Sequence, residues 1–166
     1  LEELADQLLE HLSQPGQRVD WIHAHYADAG LVGALVSQRL GIPLVFTGHS
    51  LGREKQRRLL AGGLDRSQLE QTYAISRRID AEERALAQAD LVITSTRQEA
   101  DQQYCRYGHF QADQAAVVPP GVDASRFHPH GSSQECSALQ ILLQPFLREP
   151  DRAPLLALSR AVRRKN

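Results

Sequence analysis

The sequence predicts an α/β fold on a parallel sheet. Three short apolar runs, at residues 19–25, 44–47 and 91–94, alternate with segments of helical periodicity. That rhythm lays strands side by side with helices on the faces of the sheet. The runs at 44–47 and 91–94 are continuous in apolar character, as strands covered on both sides are. The chain has 166 residues, 42% of them apolar, enough for one sizeable core.

Taken in order, Leu1, Leu4, Leu8, Leu9 and Leu12 mark an amphipathic first helix over residues 1–13, ended by Pro15-Gly16. A strand follows at 19–25, then a turn at Asp28-Ala29-Gly30 and a buried, small-residue helix over 31–40. Gly41-Ile42-Pro43 stops that helix and launches the strand at 44–47. Residues 48–66 are polar and carry Arg53, Lys55, Arg57, Arg58 and Arg66, with a break at Gly62-Gly63. One long helix is expected over 67–88, with Leu69, Tyr73, Ile79 and Leu86 near one stripe. After the strand at 91–94, Ser95 or Thr96 caps a helix that runs to about Tyr107, with Glu99 as the capping-box partner of Thr96. A fourth strand at 115–118 is closed by Pro119-Pro120-Gly121. Residues 124–135 read as a linker, 139–147 as a short helix and 155–158 as a fifth strand.

Composition removes several function classes. Nineteen basic residues against twenty acidic ones leave a net charge of −1, so no basic field exists for nucleic acid. The apolar runs are too short to span a bilayer, and LEELADQLLEHL carries acids where a signal peptide needs basic residues. Cys105 and Cys136 make no disulfide framework and read as free thiols in a reducing, cytoplasmic setting. The chain begins at Leu1, has no Met and ends just after a strand-like run, so a segment of a larger protein is expected.

Four constellations carry candidate chemistry. His23-Ala24-His25-Tyr26 lies at the carboxyl end of a strand, where ligands gather in open α/β sheets. Tyr26 and Gly30 would line a ligand-facing loop; the competing reading is an ordinary polar strand end. The His-x-His spacing suits zinc geometrically, but no further His or Cys has ligand spacing, so no metal is assigned. Thr47 to Lys55 also follows a strand, and its glycines, Ser50 and Lys55 suit an anion. It lacks the GxxxxGK[ST] spacing of a P-loop and the G-x-S-x-G elbow of a hydrolase. Arg77-Arg78 could face a pocket with one fork while the other pairs with Glu82; a surface salt-bridge ladder is the alternative. Arg160, Arg163, Arg164 and Lys165 follow the last strand, either to hold a diphosphate or as a solvated end.

In order, HYADAG, FTGHSLGREK, ISRRIDAEE, ADLVITSTRQE, VVPPGVD and LLALSR with RKN resemble sucrose-phosphate synthases across about residues 19–166. These are retaining glycosyltransferases of the GT-B type, with two Rossmann-like domains. The HSLG-x-x-K segment favours them over sucrose synthases, whose segment looks like HALEKTKY. The resemblance implies a partial Rossmann-like acceptor domain over 1–123 and a linker with a short helix over 124–150. Residues 151–166 would then open a nucleotide-sugar domain. It implies transfer of glucose from UDP-glucose to fructose 6-phosphate, with no cofactor. Tyr26, Ser50, Lys55 and Arg77 or Arg78 would contact fructose 6-phosphate, and His49 would stand by the transferred glucosyl group. Arg160 and Lys165 would neutralise the UDP diphosphate.

Departures accompany the match. The family's first strand and glycine-rich acceptor loop have no counterpart in these residues, nor does most of the donor domain, with its E-x7-E-type carboxylates. Ala161-Val162 stand where the family carries a proline and an acidic residue. Residues 1–166 alone are expected to be inactive, with association with a donor domain implied. The rivals are sucrose synthase or another UDP-sugar transferase, a non-catalytic sugar-phosphate-binding module, and a remnant that does not fold.

Overall fold

The computed structural model describes residues 1–127 and 138–149. The chain divides into two units, Leu1–Gly121 and Val122–Asn166. The first unit holds a four-stranded sheet in the order β1-β2-β3-β4, every neighbouring pair parallel. The strands are β1 (Ile22–His25), β2 (Leu44–Thr47), β3 (Leu91–Thr94) and β4 (Ala115–Val117). Among them run α1 (Glu2–Leu12), α2 (Tyr26–Leu40), α3 (Gly52–Ala61), α4 (Arg66–Tyr73), α5 (Ile75–Gln88) and α6 (Arg97–Gln102). Of the second unit, the described residues include one short helix, α7 (Ala138–Leu143), which tightens into a 3₁₀ turn at Gln144–Phe146. The strand expected at 155–158 lies outside the described residues.

Register explains the core. Ala24 stands opposite Phe46, and Phe46 opposite Val92, so these three side chains share one face of the sheet. All three are buried, together with Ala34, Ile79, Ala85 and Leu86 from α2 and α5. The alternate residues His23, Val45 and Ile93 are half-buried. Small residues let α2 approach the sheet: a Cβ added at Gly30 would come 2.6 Å from Phe46 Cε2. The turn expected at residues 28–30 is therefore absent. The helix begins at Tyr26, and Gly30 is buried packing instead of the lining of a ligand loop.

The helix expected over 67–88 is broken. Asp65 and Gln68 form a reciprocal capping box that starts α4, and Ala74 turns left-handed at φ 43° before α5 begins. Leu69 and Ile75, on either side of the break, are both buried. The Glu70 carboxylate secures the corner by accepting from the Ser76 N–H at 3.1 Å and its hydroxyl at 2.9 Å.

The helix expected to reach Tyr107 stops at Gln102. A 3₁₀ turn at Tyr104–Arg106 then lets Tyr104 and Tyr107 both enter the core. Thr96 caps α6 as expected, its hydroxyl accepting from the Glu99 N–H at 3.1 Å. The Glu99 carboxylate reaches the Ser95 N–H at 2.7 Å, one residue before the position a capping box would use.

Glu83 fastens α5 to α3 and to the turn after Tyr107. It accepts from Arg53 at 2.6 Å and from the backbone N–H groups of Gly108 and His109 at 3.1 Å each. The His109 ring lies 2.9 Å from it. Burial raises the Glu83 carboxyl pKa, but these partners outweigh it and hold the group at about 2 against an ordinary value of 4.5. Hydrogen bonds from Arg57, opposed by burial and joined by Arg58, likewise hold Glu54 at about 2. A carboxyl whose pKa falls on folding contributes stability that is complete above its unfolded value. That stability is lost as pH drops through the folded value. The melting temperature should therefore decline as pH falls from 4.5 towards 2, and Glu83→Gln should remove part of the decline. Circular-dichroism melts across that window check this; a flat wild-type profile would refute it.

Candidate functional site

β1 and β2 end side by side, with His25 opposite Thr47. The residues at and just beyond the two strand ends form one polar cluster. His25 Nδ1 lies 2.7 Å from His49 Nε2, and the two rings stack at 5.0 Å between centroids. The His23 ring is 4.1 Å from that of His25, and its Nε2 is 2.9 Å from Thr47 Oγ1. Burial pushes the His23 imidazole below its usual range, with His25 and then His49 adding to the effect. The Tyr26 ring stands 4.8 Å from that of His49. Tyr26 and His49 hold φ of 66° and 53°, the left-handed region that non-glycine residues adopt only under constraint.

The constraint on the loop between β2 and α3 comes from beneath it. The Gly48 N–H donates to Tyr104 Oη at 2.7 Å, and the Arg53 N–H donates to Tyr107 Oη at 3.0 Å. The Gly52 N–H donates to both carboxylate oxygens of Glu82, at 2.8 and 3.1 Å. Glu82 is fully buried. It also accepts from Arg78 Nε at 3.1 Å and from the Tyr107 hydroxyl. An anion is thus set at the amino end of α3, where the helix dipole and unpaired N–H groups favour one. The fit excludes side chains: a Cβ at Gly52 would meet Glu82 Oε2 at 2.8 Å, and one at Gly48 would meet Leu51 at 2.5 Å. Burial pushes both Tyr104 and Tyr107 well above the usual phenol range, so Tyr107 stays protonated and remains a donor to Glu82.

Beside the cluster lies a cleft of about 770 Å³, lined among others by Tyr26, Asp28, Tyr73, Ala74, Arg77 and Arg78. Tyr73 and Arg77, on either side of the left-handed turn at Ala74, line the same cleft. Lys55 Nζ sits 3.8 Å over the Tyr73 ring, a cation–π contact. Burial lowers the Lys55 pKa and the nearby Arg78 charge lowers it further. Arg78 donates to the Ser50 carbonyl as well as to Glu82, so its fork ties the loop to α5. Arg77 is exposed and makes no ion pair among the described residues.

The expected residues thus divide. Tyr26, Arg77 and Arg78 share the cleft, His49 touches Tyr26, Lys55 rests on Tyr73, and Ser50 is tied to Arg78 through its carbonyl. Arg78 takes the pair with Glu82, and both Arg77 and Arg78 line the cleft. Arg160 and Lys165 lie outside the described residues. Sequence reasoning passes over His25 as a partner of His49, Tyr73 as the seat of Lys55, and Glu82, Tyr104 and Tyr107 as loop supports. The Arg78–Glu82 spacing is the one visible signal of the support. The exposed Arg77 fork in the cleft suits an anion, with the Lys55 ammonium on Tyr73 beside it and the Arg78 fork engaged with Glu82 and the Ser50 carbonyl.

The family model for Glycosyltransferase Family 4 matches residues 3–126. The chain belongs to Glycosyltransferase Family 4. This family 4 chain is 36% identical to a sucrose-phosphate synthase of Zea mays over 185 aligned residues, covering 87% of the chain and 17% of that relative. It is 35% identical to a probable sucrose-phosphate synthase 5 of Oryza sativa subsp. japonica, covering 87% of the chain and 19% of the relative. Among solved structures it is similar to the sucrose-phosphate synthase of Thermosynechococcus elongatus. The TM-score there is 0.58 with 26% identity, over 78% of this chain and 29% of that one. The α/β fold with its all-parallel sheet is thus that of part of a GT-B enzyme. The chain spans about a fifth of the length of the curated relatives it matches. Among the described residues of this family 4 chain, no helix is long and apolar enough to cross a membrane.

Replacing Glu82 by Ala would orphan the Gly52 N–H and strip Arg78 of its buried partner. We expect a loss of about 3 kcal/mol in folding stability, with Glu82→Gln losing less. Urea denaturation measures both; an Ala variant within about 0.5 kcal/mol of wild type would show that the carboxylate does not hold the loop.

Proposed function

We propose that this family 4 chain is the acceptor-binding part of an enzyme that moves glucose from UDP-glucose to fructose 6-phosphate, giving sucrose 6-phosphate and UDP. The observation that carries the reading is the cleft lined by Tyr26, Arg77 and Arg78, next to His49, with Lys55 seated on the ring of Tyr73 in its wall. The similarity to sucrose-phosphate synthases supports the choice of substrates. In this reading residues 1–123 form the acceptor domain, 124–150 the linker, and 151–166 the opening of the nucleotide-sugar domain. The free Cys105 thiol suits a cytoplasmic enzyme.

The chemistry follows from charge. Lys55, Arg77 and Arg78 bind the phosphate of fructose 6-phosphate, while Tyr26 and Ser50 orient its sugar ring. An acceptor hydroxyl oxygen bonds to the glucosyl anomeric carbon and passes its proton to the departing UDP phosphate oxygen as the bond between that oxygen and the anomeric carbon breaks. His49 stands by the glucosyl group. Negative charge grows on the departing diphosphate, and Arg160 and Lys165 offset it, as preorganised cations do. Holding both sugars in one geometry lowers the barrier further.

Binding by residues 1–166 tests the acceptor reading directly. Calorimetry should detect fructose 6-phosphate and not free fructose. Each charge-assisted bond contributes about 1.5–3 kcal/mol, so Lys55→Ala and Arg77→Ala should each weaken binding at least about tenfold. Equal binding of free fructose would mean that the cationic wall does not read phosphate, and the assignment would fall.

The same reading makes residues 1–166 inactive by themselves, because the donor contacts it needs belong to a second domain. UDP release should stay at background when both substrates are supplied to this chain. Turnover above background would sink this part of the reading.

A further inference from the structure

His49 stands on a short loop, exposed, with a left-handed backbone. Among the described residues its ring makes one hydrogen bond, from Nε2 to His25 Nδ1 at 2.7 Å. The two rings are nearly parallel, 18° apart, and Tyr26 closes the far side of the His49 ring at 4.8 Å. His25 is the last residue of β1, registered against Thr47 at the end of β2, so its backbone position comes from the sheet and not from the loop. A hydrogen bond between two imidazoles requires one N–H and one lone pair. If His25 Nδ1 holds the proton, His49 Nδ1 must carry the other and faces outward as a donor. If His49 Nε2 holds it, His49 Nδ1 is an acceptor. Either way the partner dictates what His49 presents on its free edge.

We propose that His25 is a positioning residue: it holds the His49 ring in one plane and ties its tautomer to its own, and so sets the hydrogen-bonding character of His49 Nδ1. The groups around the pair fit that role. The His23 ring lies tilted against that of His25 at 4.1 Å while its own Nε2 is engaged with Thr47 Oγ1, and among the described residues the bond at His25 Nδ1 is to His49 alone. Tyr26 limits rotation of the His49 ring from the α2 side, and Arg78 restrains the loop at the Ser50 carbonyl. The catalytic consequence rests on the reading of His49 given above; the coupling between the two rings does not.

The test uses ¹⁵N-histidine spectra of residues 1–166 in alkaline buffer, where an imidazole is neutral. In the wild-type chain His25 and His49 should share one tautomer, both Nδ1–H or both Nε2–H. His25→Phe keeps an aromatic ring but has no nitrogen, so His49 should shift to the mixture of a free imidazole. His25→Asp presents only acceptor oxygens near the Nδ1 position and should hold His49 as the Nε2–H tautomer, while His25→Glu, which reaches the Nε2 position, should not. Circular-dichroism melts identify variants that fail to fold, and Phe and Asp provide two routes if one does. Identical His49 ring shifts in wild type and His25→Phe would overturn the proposal. In the intact enzyme, His25→Phe should lower kcat at least about tenfold with the acceptor KM unchanged. Spectra that respond while kcat does not would leave the ring coupling standing and overturn the placing of His49 beside the glucosyl group.

Discussion

A single buried carboxylate organises the site. Glu82 lies at the amino end of α3, fully out of solvent, and takes hydrogen bonds from the Gly52 backbone, from Arg78 and from Tyr107. A bare carboxylate there would be very costly to desolvate, and only its complete set of donors makes the position tolerable. Carboxylate and donors belong to three separate stretches of chain. Satisfying them fixes α3 against α5, seats the loop between β2 and α3, and aims Arg78 across that loop. The absence of side chains at Gly48 and Gly52 is the steric counterpart of the same requirement.

From that anchor comes the strain above it. Among the described residues, Tyr26, His49 and Ala74 are the non-glycine residues in the left-handed region, and all three border the cleft or the histidine cluster. Such backbone persists where surrounding contacts over-determine it. For His49 those contacts are the tethered loop and the neighbouring strand. For Ala74 they are the burial of Leu69 on one side and Ile75 on the other.

The placing of charge is equally economical. The arginines of α3 have carboxylate partners: Arg57 and Arg58 share Glu54, and Arg53 pairs with Glu83. Lys55 is the exception, turned onto an aromatic ring in place of a carboxylate. Arg77 is exposed at the cleft and Arg78 is shared with Glu82, in a chain that as a whole is close to neutral. In the proposed reading, the acceptor phosphate meets its cations there.

The strands at 44–47 and 91–94 were legible in the sequence because a strand buried in a parallel sheet must be apolar along its length, whatever surrounds it. The break after Leu40 was legible for a similar local reason: Gly41 accepts the left-handed end of a helix at φ 65°. The order of motifs also identified the family, since spacing survives where single residues change. Tertiary structure decided the rest. The helix break at Ala74 carries no Gly or Pro, and the contacts that hold it, from the Glu70 carboxylate to Ser76, span six residues. Gly30 has the local signature of a loop residue, and only its packing against Phe46 makes it part of a helix. The pairing of His25 with His49, and the burial of Glu82 under α3, join residues 24 and 30 positions apart. Local propensity contains no information about such contacts; they exist only because a parallel sheet brings successive strand ends to one edge, where the chain's polar groups must find partners among themselves.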